Sequence, residues 1–143
     1  MCFDRCMRIQ FNNISFNEKV KIYKKDDNKV IEHYDENNHL IKSFVHDKYK
    51  RDIDSKHFDK DGNVIFHMHK EYSPNGMVET FKDKYQEYTR TIHIEIIDSM
   101  MHRIEEFCSK TSPKSNYVNE FIHDVSGKLV KIINNGKEII LKK

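Results

Sequence analysis

Nine histidines are the residues of this chain best suited to chemistry, and the spacing of one pair suggests what kind. His67 and His69 stand two apart, so on a β-strand they point to one side, as two metal ligands would. A third ligand would come from a neighbouring strand, with His57, His93 and Glu71 as candidates. Catalytic zinc needs three well-placed protein ligands, and structural zinc needs four, often as Cys pairs. The sequence contains neither a Cys-x-x-Cys nor a His-Glu-x-x-His. Two histidines on a polar sheet face is therefore the reading adopted, and neither a metal nor a cofactor is expected.

The other reactive groups lead to no mechanism. Cys2 and Cys6 are separated by three residues near the N-terminus, and Cys108 sits on the last part of a predicted strand. As a nucleophile Cys108 would need a positioned base, and spacing does not place His102 or His123 beside it. Glu105 and Glu106 alternate faces on a strand and do not form a dyad. Asp59-Lys60-Asp61-Gly62 matches only a fragment of an EF-hand, which continues to a twelfth-position Glu. The four glycines are isolated, with no phosphate-cradling loop. No catalytic residue is assigned and no enzyme activity is expected.

The elements that would position these groups follow from a repeat. FDKDGNVI at Phe58 to Ile65 has relatives in YDENNHLI from Tyr34, YSPNGMVE from Tyr72 and HDVSGKLV from His123, with a weaker IDSMMHRI from Ile97. Most spacings lie near twice a period of about twelve residues. Intermediate units occur at HDKYKRDI from His46, at Asp83 to Tyr88 and at Lys110 to Asn116. Asp, Asn, Gly and Pro supply the side-chain hydrogen bonds and backbone angles of tight turns. Asp61-Gly62, Asn75-Gly76 and Asn135-Gly136 are favoured hairpin pairs. Between the turns the chain alternates. Ile92, Ile94 and Ile96 share one face, and Val64, Phe66 and Met68 share another, opposite Ile65, His67 and His69.

The expected fold is all-β: an antiparallel meander of about nine short strands, as an open curved sheet, a sandwich or a barrel. A short helix near 98–107 competes, because Met100, Met101, Ile104 and Phe107 fall at helical spacing behind Asp98 or Ser99. Residues 1–143 read as a single β-repeat domain, long enough to bury a core.

Composition narrows the function. There are 25 Lys and Arg against 23 Asp and Glu, for a net charge of +2, and the charges are interspersed rather than gathered into a basic stripe. Nucleic acid is therefore not an expected partner. No apolar run is long enough for a spanning helix, and the N-terminus lacks a secretory h-region, so a membrane partner is not expected either. Three cysteines form no disulfide framework, and a cytoplasmic location is expected.

The units YDENNHLI, FDKDGNVI, YSPNGMVE and HDVSGKLV resemble the tyrosine-aspartate (YD) and MORN-like β-hairpin repeats, although Asn38 and Met101 replace the glycine in two copies. Short proteins with similar degenerate repeats include the immunity proteins of bacterial polymorphic toxin and contact-dependent growth inhibition systems. The resemblance implies a cytoplasmic protein that binds and neutralises a cognate toxin domain such as a nuclease, acting as a monomer or weak homodimer. It transfers no functional residue. The expected partner-binding face is His67, His69, Glu71, His93 and Glu95. The alternative from another class is an up-and-down barrel holding a small apolar ligand.

Overall fold

The computed structural model describes residues 8–11 and 18–141. It is all-β, with one short 3-10 turn at Pro113–Ser115. The strands are β1 (Arg8–Phe11), β2 (Lys19–Lys25), β3 (Asn28–Tyr34), β4 (Leu40–His46), β5 (Asp52–Phe58), β6 (Val64–Ser73), β7 (Gly76–Asp83), β8 (Glu87–Ile97), β9 (Met100–Ser109), β10 (Tyr117–His123), β11 (Leu129–Asn134) and β12 (Lys137–Ile140). Among the described residues twelve strands stand where about nine were expected.

Two compact units divide the chain. The first holds Met1–Lys70 with Lys82–Lys84, and the second holds Glu71–Phe81 with Tyr85–Lys143. In the first, β1 to β6 pair in chain order, each antiparallel to the next. In the second, β8 to β12 do the same. In neither unit does the strand order close on itself, so neither is a barrel.

The proposed helix near 98–107 does not form. Asp98 and Ser99, with φ of 51° and 66°, make a two-residue turn, and β9 follows at once. Met101 consequently lies in a strand opposite Ile96 and does not fill a glycine slot. The helical spacing was a coincidence of a strand whose polar and apolar residues alternate imperfectly. Asp26-Asp27 and Asn135-Gly136 make the same positive-φ turn, whose twist matches that of the flanking strands.

The repeat marks a different hairpin, which recurs four times. In the loops after Asp35, Asp47, Asp59 and Asp124, one carboxylate oxygen (Oδ1) accepts the backbone N–H groups two and four residues on. The Asp backbone N–H donates to the carbonyl four residues on, and its own carbonyl accepts the N–H three residues on. The residue three beyond the Asp has positive φ in every copy: Asn38, Lys50, Gly62 and Gly127.

The register that follows is also shared. The residue before each Asp pairs with the residue five beyond it, as Phe58 does with Val64, and then one residue is skipped. The skipped residues are Ile41, Ile53, Ile65 and Val130, the last position of each unit; this is a β-bulge. YSPNGMVE is not such a unit. Its turn is Pro74-Asn75, and Gly76 opens β7 because a Cβ there would lie 2.0 Å from the Ile92 carbonyl oxygen.

The expected core is thin. Among the described residues only Val20, Val30, Phe81 and Ile122 are buried apolar side chains, and the most enclosed, Ile122, keeps 6% of its surface. Cross-strand ring ladders do much of the packing instead. In the first unit His33, Phe44, His57 and Phe66 follow one another across β3 to β6, ending in a stacked pair at 4.6 Å. In the second Phe81, Tyr88, Phe107 and Tyr117 follow one another across β7 to β10, at 5.0, 4.9 and 5.3 Å.

Two predictions follow from the loops. A non-glycine residue in the left-handed region costs about 1–2 kcal/mol. Lys50→Gly should therefore stabilise the protein by about 1 kcal/mol and Gly62→Lys destabilise it similarly, measured by urea denaturation. The loop carboxylates also confer acid sensitivity. The His39 backbone N–H holds Asp35 below the usual aspartate range, the Asn63 backbone N–H does so for Asp59, and the Ser126 hydroxyl for Asp124. At Asp47 partial desolvation pushes upward, but the backbone and guanidinium of Arg51 outweigh it. A carboxylate depressed in the folded state stabilises fully above its unfolded pKa and stops doing so as pH falls through the folded one. The urea midpoint should therefore drop as pH falls below about 4. Replacing all four by Asn, which offers the same acceptor without titrating, should flatten that drop.

Candidate functional site

The register of β5 against β6 brings together side chains that are far apart in sequence. Asp54 lies directly opposite His69, and Lys56 opposite His67, so all four share one face of the first unit. Asp54 Oδ1 lies 2.8 Å from His67 Nε2 and 3.1 Å from His69 Nδ1. The three candidate donor atoms fall within 4.8 Å of one another. Asp54 is the enclosed member at 18% exposure, whereas His67 and His69 open to solvent at 39% and 41%. A shallow depression of about 520 Å³ beside them is lined by Lys56, Val64, Ile65, His67 and Lys82–Lys84.

His57, one of the three expected partners of this pair, lies on the opposite face. It pairs with Phe66 and stacks on it. Burial, reinforced by the nearby Lys42, lowers its pKa, so it stands in the ladder as a neutral ring. The group that joins His67 and His69 is Asp54, which sequence spacing did not single out.

The remaining residues of the expected face lie in the second unit. Glu71 follows two residues after His69 along β6 and belongs to that unit. His93 and Glu95 sit two apart on β8 with His93 Nε2 2.9 Å from Glu95 Oε1, both nearly half exposed. Glu95 faces His102 on β9, and His102 Nδ1 contacts Glu120 Oε2 on β10. The face thus alternates histidine and carboxylate across three strands.

Cys108 is exposed, and its Sγ lies 3.5 Å from Glu106 Oε1. Desolvation and then that carboxylate raise the thiol pKa, the reverse of what a nucleophile needs. Glu105 and Glu106 do face apart, Glu105 accepting from Tyr117 at 2.9 Å.

A second polar cluster is structural in character. Glu79 keeps only 4% exposure. Its carboxylate lies 3.3 Å from Arg90 Nε and accepts from the Tyr88 hydroxyl, and Arg90 also approaches Glu105 at 3.5 Å. Burial works against the Arg90 charge, but Glu79 and Glu105 more than offset it and raise its pKa. Tyr34 shows the same logic in the first unit. Burial and the hydrogen bond it donates to Glu32 push it up to about 12.

Removing one member of a buried charged pair leaves the other uncompensated. Glu79→Ala should cost about 1–3 kcal/mol, less than a fully enclosed pair would, because Arg90 reaches solvent. Chemical denaturation of the intact chain measures this, and a change within about 0.5 kcal/mol of zero would show that Arg90 is satisfied elsewhere.

Set beside known proteins, the chain matches no family model, no curated protein and no solved structure.

Proposed function

We propose that the protein is a non-catalytic binding protein of the immunity type, which neutralises a cognate toxin domain by covering its active site or its substrate-binding surface. The observation that carries this reading is the unclosed, thinly buried sheet of each unit. With so little enclosed, its side chains are presented for contact. Ile96 is 69% exposed, and Ile94 beside it on β8 and Ile139 on β12 are exposed on the same face of the second unit. Apolar side chains left open on a sheet face in this way suit contact with a partner. On the other face of the same strands, the rows of histidine and carboxylate suit a basic partner. Complementary charge of this sort speeds association and selects among partners.

The alternative ligand-holding barrel loses its basis, since neither unit closes and the 520 Å³ depression is open. Among the described residues no helix is long and apolar enough to cross a membrane.

The reading is tested by inducing the C-terminal fragment encoded by the adjacent upstream gene in bacteria, with and without this protein, followed by a pull-down. Rescue together with a stable complex supports it, and toxicity without rescue overturns it. For the contact face, Glu71→Lys with Glu95→Lys should slow association about tenfold at low salt and leave the urea midpoint nearly unchanged. Unaltered association kinetics would move the contact elsewhere.

A further inference from the structure

We infer that Asp54, His67 and His69 form a binding site for a late first-row divalent cation, with zinc as its reference ion. The inference is independent of the toxin-binding reading. It rests on three facts: donor type, distance and accessibility.

Two imidazoles and one carboxylate form a donor set that zinc and its neighbours accept, leaving at least one coordination position open. Bound at about 2.0–2.1 Å, tetrahedral ligands lie roughly 3.3 Å apart. The Asp54 oxygen is already 2.8 and 3.1 Å from the two ring nitrogens, so a cation needs shifts of a few tenths of an ångström along those two edges. Small rotations of the exposed rings close the third. The strand scaffold supplies the convergence, because His67 and His69 project from alternate positions of β6 and Asp54 sits in direct register with His69.

The alternative role for these residues is a hydrogen-bonded His–Asp–His bridge that merely ties β5 to β6. The two roles differ in what each ring presents. In the bridge the ring nitrogen donates its proton to Asp54. With a cation bound, the same nitrogen offers its lone pair and the proton moves to the other ring nitrogen. Lys56 lies opposite His67, Lys82 and Lys84 line the depression beside it, and the long lysine stems let the ammonium groups turn to solvent. Because both histidines are open to water, the free position points outward, where a water molecule completes the shell.

The test uses the full-length chain without an affinity tag, stripped with a chelator and titrated with zinc in a calorimeter. One ion per chain is expected, and cobalt in its place should give visible d–d bands without thiolate charge transfer. Loss of an outer-shell partner of a metal ligand already weakens binding 10–100-fold. Each of His67→Ala, His69→Ala and Asp54→Asn should therefore weaken it at least about a hundredfold, whereas His57→Ala, on the other face, should not. In the unsubstituted protein, the ring resonances of His67 and His69 should shift on zinc addition, a readout that does not depend on any variant folding. Absence of binding at 100-fold zinc excess, binding unchanged by the three substitutions, or a thiolate signature placing the ion on cysteine would each overturn the assignment.

Discussion

A sheet with almost no interior depends on its hairpins. In a thick domain a misplaced turn can be corrected by the core, whose burial outweighs local preferences. Here each inner strand is held by its neighbours and the turns that join them. The Asp loop meets that demand with one side chain. By accepting two backbone N–H groups, the carboxylate of Asp35, Asp47, Asp59 or Asp124 fixes the loop. The positive-φ residue that follows returns the chain, and the bulge residue resets its register. Neighbouring strands meet in chain order, so loop closure is short and inexpensive throughout.

What the hairpins leave open, the cross-strand pairs fill. Each such pair contributes only about 0.2–1 kcal/mol, so the sheet needs continuous rows of them. The rows are visible as the His33–Phe44–His57–Phe66 and Phe81–Tyr88–Phe107–Tyr117 ladders. Their composition explains why the chain is at once aromatic and polar. A ring lying flat on a neighbouring ring removes apolar area without being enclosed, and Tyr and His can keep a polar edge towards water. The Glu79–Arg90–Glu105 cluster lies on the same face as its ladder, so the ion pairs sit where the rings reduce solvent access.

Much of this was legible in the sequence because it is local. The meander, the strand alternation at Ile92 to Ile96 and the turns at Asn135-Gly136 and in FDKDGNVI are all determined within about eight residues. Three features were not legible, each for a physical reason. Asp98-Ser99 is a two-residue turn written without glycine, so Met101 was aligned with the wrong position. Asn75-Gly76 has the composition of a hairpin pair, but Gly76 is needed for the space against Ile92 rather than for its φ. The thinness of the core could not be anticipated from length, because length limits how much surface can be buried and not how much of it each sheet covers.

Asp54 was missed because its role depends on register, and register is set at the bulge. If Ile65 were not skipped, Phe58 opposite Val64 would continue to Ser55 opposite His67 and Ile53 opposite His69. Asp54 would then face Met68 on the other side. Skipping one residue transfers the whole later part of β6 between faces of β5, and it sets Asp54 directly across from His69. The final Ile of the unit FDKDGNVI, read from sequence as a strand residue, is therefore the residue that assembles the cluster. In a sheet with so little enclosed volume, side chains that act together must be brought together along a surface, and the hairpin that stabilises the strand pair is also what selects its chemistry.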